Sequence, residues 1–137
     1  MIPGSVFFDK DFHFHDGESS EKLFIVLGED AGISIVVKTT SQPHGRGIQY
    51  GCQPHDRFHN FYLPQRTCYL KKCTWVCLDE FYELGNSELL QKKFGGVVNH
   101  VCDIAFPIIR EIQDCAIASD DISNNHENII TSCLVTK

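Results

Sequence analysis

The chain has no apolar run approaching the roughly 18 residues that cross a bilayer as a helix, which excludes a helical membrane protein. Its opening residues, MIPGSVFFDKDF, carry neither the basic stretch nor the apolar stretch of a secretory signal, so a cytoplasmic protein is expected. It also lacks a cationic excess. Twelve Lys and Arg face 18 Asp and Glu, for a net charge of -6, which argues against a large phosphate-binding surface because such surfaces are built from Lys and Arg. No internal repeat is visible, and 137 residues are too few for two domains of ordinary size. A single domain over residues 1–118 is expected, followed by a polar tail over residues 119–137 that reads as coil.

What is present is enough for a core. An apolar fraction of 42% and ten phenylalanines supply the surface that disordered chains lack. The seven cysteines are expected as free thiols, since a reducing compartment keeps them so and an odd count fits a closed disulfide framework poorly.

Strand signals dominate the first forty residues. SVFF follows a Pro3–Gly4 start, KLFIVLG is a continuous apolar run ending in glycine, and ISIVVKTTS is β-branched almost throughout, with EDAG as a tight connection. Three strands joined by short turns predict a meander or small barrel. Residues 41–60, with two prolines, three glycines and three histidines, have no sustained period and read as a long loop, broken at most by a short strand. FYLPQ and CTWVCLDEFYEL resume strand character. NSELLQKKFGG predicts a short helix, with Asn86 or Ser87 as N-cap and Gly95 in the left-handed C-terminal conformation. Val98, Val101, Cys102, Ala105, Ile108, Ile109 and Ile112 share the spacing of one helical face, which predicts one long helix kinked at Pro107.

Cys68, Cys73 and Cys77 lack the paired spacing and tight knuckle of a structural zinc site. Read as strand, Cys73 and Cys77 flank Trp75 on one face as small buried hydrophobes. A second metal candidate joins His55 and His59, with Cys52 or His44, but QPHDRFHNF has no helical pattern to align an i, i+4 histidine pair. No metal and no cofactor is expected.

The strand order, the opening PGSVFF, the strand ending VVKTTSQ and above all LKKCTWVCLDEFYEL followed by a short helix and a glycine pair resemble the MazF/PemK (Kid) toxin family. The resemblance covers roughly residues 3–115. It implies an α+β fold, mainly β: a small SH3-like barrel, as in CcdB, with a short helix and a long C-terminal helix. It further implies a metal-independent endoribonuclease cleaving single-stranded RNA, a homodimer, and a cognate antitoxin protein as partner. Thr40 and Ser41 match the family's Thr-Ser pair at the third strand's end. Lys22 stands where the family has the arginine of an Arg-Pro pair, and lysine supplies charge without the bidentate fork. His15 or His13 matches a histidine of the first loop, and Asp79 a late-strand aspartate, while Cys77 occupies the place of an arginine two residues before it.

Lys22, Thr40, His15 and Asp79 are therefore the expected catalytic set. Ser41, His44, Arg46, His55, Arg57 and His59 are the expected RNA-binding set, because cleavage at a 2′-hydroxyl needs a base, an acid and a cation for the phosphate. Phe58, Phe61, Tyr62 and Tyr50 offer rings that either stack bases or pack into the core. Two other readings remain: a non-catalytic binding module on the same barrel that grips a protein, and a metal-dependent protein using the Cys/His set.

Overall fold

A computed structural model describes residues 2–55, 58–67 and 70–136. Eight strands, all paired antiparallel, and three helices make a small α+β protein. The strands are β1 (Ser5–His13), β2 (Ser19–Asp30), β3 (Ile33–Thr40), β4 (Gly51–Gln53), β5 (Asn60–Leu63), β6 (Thr74–Cys77), β7 (Tyr82–Gly85) and β8 (Val98–Asp103). The helices are α1 (Asn86–Phe94), α2 (Phe106–Ile117) and α3 (Asn124–Ser132). The order β4-β5-β6-β3-β2-β1-β8 does not close on itself, so the sheet is open. β7 pairs with the first half of β3, and β6 with its end.

The continuous apolar runs are explained by a sheet covered on both faces. Along β2 and β3, Ile25, Leu27, Ile35 and Val37 join a core beneath α2 and α3, while Phe24, Val26 and Val36 join a second core with Leu89 of α1. In β1, Phe7 and Phe12 lie an odd number of residues apart yet enter the same core, because a bulge between Asp9 and Phe12 inserts one residue and restores the face. The β2–β3 turn at Ala31 and Gly32 has positive φ at both residues, 50° and 81°, the conformation whose twist suits a two-residue hairpin.

Several local expectations fail. The expected long helix is a strand followed by a helix: Val98–Asp103 is β8, paired to β1. Pro107 does not kink a helix but sits in the first turn of α2, where a missing N–H costs nothing. The coil expected after Ser119 contains α3, whose first turn is capped by the Ser123 hydroxyl accepting from His126 N at 3.1 Å, and whose Ile130 is fully buried. At α1, Gly85 is the N-cap, Gly95 is right-handed and Gly96 takes the left-handed turn at φ 77°. Asn86 instead accepts from Ser34 Oγ and donates to Glu29 Oε1, joining α1 to β2 and β3.

Not all cysteines are thiols. Cys52 on β4 and Cys115 on α2, 63 residues apart in sequence, come within 5.6 Å between Cα atoms and form a disulfide, and Cys102 is also disulfide-bonded. Cys73, Cys77 and Cys133 are free. All of β6 is buried, which agrees with reading Cys77 as a core residue; Cys73, just before the strand, is half-buried. Cys68 lies outside the described residues. Among the described residues no helix is long and apolar enough to cross a membrane.

Candidate functional site

The residues singled out from sequence fall into two neighbouring concavities and their surroundings. The first is a groove of about 710 Å³ lined by Lys22, Thr40 and Ser41 together with Lys71 and Lys72. Lys22 reaches it from β2, Thr40 from the end of β3, and the lysines from the segment before β6. Thr40 Oγ1 accepts from Gln42 N at 3.1 Å, which leaves its O–H to donate outward. Three lysines against one carboxylate, Glu21, give this groove a local positive charge although the chain is acidic.

The second is a hollow of about 540 Å³ lined by Lys38, His44, Arg46, Phe58, Cys77, Asp79 and Glu80. Its floor is the end of β6. A tight turn, closed by Arg46 N donating to Pro43 O at 2.8 Å, places His44 and Gly45 at φ 47° and 84° and sends Arg46 back over the sheet. The turn is anchored by Trp75 Nε1 donating to Gly47 O at 2.8 Å and by Gln53 Nε2 donating to Gly47 O and Gln49 O. The Arg46 guanidinium stacks over the Phe58 ring at 4.9 Å, and its Nη2 is 4.0 Å from Cys77 Sγ. Phe58 therefore serves as a platform for an arginine.

Asp79 and Arg46 both line this hollow, each with polar capacity to spare. Asp79 Oδ1 and Arg46 Nε are buried without a hydrogen-bond partner among the described residues. Burial pushes the Asp79 carboxyl above the usual aspartate range, and Glu80 adds to the rise; Arg46 and Lys38 oppose it. Burial likewise pushes the Cys77 thiol up, against the charges of Arg46, Lys38 and Lys22. Lys22, which lines the groove, is the weakest of these influences on the Cys77 thiol.

His15 stands further along. Its Nε2 lies 2.9 Å from Phe81 O, and its ring stacks on Tyr82 at 4.1 Å. Tyr82 donates to Glu80 Oε2 at 2.7 Å, and Glu80 pairs with Lys38 at 3.5 Å. His15 therefore connects to the hollow through that chain, and it lines a separate cavity with His13 and His126. His59 is not part of the candidate RNA face: its Nε2 is 2.7 Å from Cys115 O, beside the disulfide. His55 is exposed on the β4–β5 connection. Arg57 lies outside the described residues. Of the rings considered for stacking, Phe61 and Tyr62 are buried, and Tyr50 donates to Glu111 Oε2 at 2.8 Å on another face.

Sequence reasoning missed Lys38, Lys71, Lys72 and Glu80. For Lys38 the signal was available, since two residues before Thr40 in a strand is the same face. For Lys71 and Lys72 only their neighbourhood in the fold marks them.

No protein-family model matches the chain, and no curated protein matches it.

Proposed function

We propose that the chain is a metal-independent endoribonuclease toxin of the MazF/PemK kind, acting on single-stranded RNA, on an opened variant of the SH3-like barrel. The observation that carries this reading is Arg46. Its guanidinium lies against the side chain of Cys77, where the resembled family has an arginine, and its charge acts on Asp79, two residues further on. A loop arginine thus supplies the cation that the strand lacks.

In this reading the scissile phosphate sits between the groove and the hollow. Arg46, Lys22 and Lys38 offset the charge that grows on the phosphoryl oxygens, and the Thr40 hydroxyl donates to them. Asp79, held partly protonatable by burial, takes the 2′-hydroxyl proton as that oxygen attacks phosphorus. The 5′-oxygen leaves and takes its proton from solvent water, giving a 2′,3′-cyclic phosphate and a 5′-hydroxyl. His15 acts on this set only through Tyr82 and Glu80, as a positioning residue. Lys71 and Lys72 track the backbone of the bound strand. A second copy of the chain and a cognate antitoxin come with the resemblance and rest on it alone.

The binding-module reading is favoured by one specific feature, the engagement of His15 with Phe81 and Tyr82, which a catalytic histidine would spare. One experiment separates the two. Purified protein is incubated in EDTA with a long mixed-sequence RNA and with its 2′-deoxy counterpart. Endonucleolytic fragments from the RNA alone, ending in 2′,3′-cyclic phosphates, support the toxin; intact RNA, with a tightly bound protein partner recovered instead, supports the module.

A further inference from the structure

Outside the lysine groove and the Arg46 hollow, three potential metal ligands converge from three separate elements. Cys52 is exposed on β4, His59 precedes β5, and Cys115 is buried on α2. Their ligand atoms all lie within 4.8 Å of one another. His59 Nε2 is 3.4 Å from Cys115 Sγ and 3.9 Å from Cys52 Sγ. A tetrahedral zinc ion, with bonds of about 2.3 Å to sulfur and about 2.0 Å to nitrogen, holds a sulfur and a nitrogen about 3.5 Å apart. Both nitrogen–sulfur edges of such a site are already near that length. Only the two sulfurs, now bonded, have to part.

We propose that Cys52, His59 and Cys115 form a redox-gated zinc site, closed as a disulfide and opened by thiol reductants. The reducing step takes two electrons: two reductant thiols give up their hydrogens to the Cys52 and Cys115 sulfurs and leave as a disulfide. Zinc then displaces the two thiol protons and is held by two thiolates and His59 Nε2, which exchanges its contact with the Cys115 carbonyl for the metal. Cys52 has freedom to move, since β4 is a three-residue strand at the sheet edge, paired among the described residues only with β5. Cys115 and His59 are held by α2 and by the start of β5. The adjoining hollow of about 480 Å³ leaves room for a water in the fourth position, since its carboxylates are engaged elsewhere, Glu111 with Tyr50 and Asp114 with Arg110. This site is independent of the RNA-cleavage reading.

The test uses the whole chain, reduced under nitrogen, freed of reductant and titrated with cobalt(II) as a coloured probe for the zinc site. The reduced protein is expected to take up one equivalent with the charge-transfer and tetrahedral ligand-field bands of a dithiolate site, and zinc to displace it. The oxidised protein takes up none. His59→Gln and Cys52→Ser, at positions that do not carry the core, each weaken uptake by more than about 100-fold, since loss of an outer partner of a metal ligand already costs 10–100-fold. Cys73→Ser and Cys133→Ser leave it unchanged. Absence of the tetrahedral spectrum in the reduced parent, equal uptake by the oxidised protein, or uptake indifferent to His59 and Cys52 would each overturn the proposal.

Discussion

Truncating Ile130 to alanine measures whether residues 119–137 belong to the fold. Ile130 is the one fully buried side chain of α3 and lies in the core beneath β2. The substitution removes three carbons, worth roughly 2.4 kcal/mol at about 0.8 kcal/mol for each. A cavity cost adds to this, because α3 cannot settle inward to fill the gap. A Cβ placed on Gly28 would already stand 3.3 Å from Ile130 Cα, so helix and strand backbones are in contact. The expected loss is about 3–4 kcal/mol, within the range for isoleucine truncations in closed cores. Urea denaturation of parent and Ile130→Ala, with hydrogen exchange on α3 amides, reads it directly. Gly28→Ala stresses the same contact from the other side and should cost less, since a few tenths of an ångström of helix displacement relieve it. A loss below about 1 kcal/mol for Ile130→Ala would refute the docking of α3.

Two other perturbations test the electrostatics. Lys92 Nζ lies 2.7 Å from Asp9 Oδ2, and the Asp9 side chain is only 2% exposed, so Lys92→Ala should cost about 2–3 kcal/mol in urea denaturation, below the 3–5 kcal/mol of a fully buried pair because Lys92 is itself 30% exposed. Adding Asp9→Asn to that variant should recover part of the loss; no recovery would mean that lysine packing, not the stranded carboxylate, is responsible. At Asp79 the folded carboxyl binds its proton more tightly than the unfolded one, so its ionisation opposes folding: the contribution is most favourable below the unfolded aspartate value of about 3.9 and is lost as pH rises through the raised folded value. Asp79→Asn should therefore be more stable than the parent at pH 7, lose that advantage below about pH 4, and cleave RNA poorly; an unchanged stability-versus-pH slope would count against the burial argument.

The parts of the fold that were legible are those where local pattern and tertiary role agree. β2 and β3 are continuous β-branched runs because both faces of the sheet are covered, and α1 ends where Gly95 and Gly96 stop it. β8 was misread because Val98 and Val101 sit three apart and run into a true helix, so the apolar spacing suited a single long helix; pairing with β1, a tertiary fact, decided otherwise. α3 was missed because a short helix with few apolar residues has little signal of its own and gains its stability from docking. The disulfide was illegible for the same reason: nothing in the spacing of Cys52 and Cys115 announces that an edge strand and a helix meet. Half of the candidate site could be read. Thr40, Ser41 and Lys22 do share a groove, and Arg46, His44 and Asp79 share a hollow, but the reach of a loop arginine to Cys77 depends on the His44–Gly45 turn and the Phe58 platform. His59, chosen for its place in a histidine-rich loop, turned away from that face because its ring meets the Cys115 carbonyl.

Single-turnover cleavage of RNA in EDTA by the parent and by Arg46→Ala tests the central claim most directly. If the loop guanidinium stabilises the transition state at Asp79, the variant should remain folded and cleave about 10²–10³-fold more slowly, the usual loss for one electrostatic donor at a reacting oxyanion. Cleavage at the parental rate by a folded Arg46→Ala protein would contradict it.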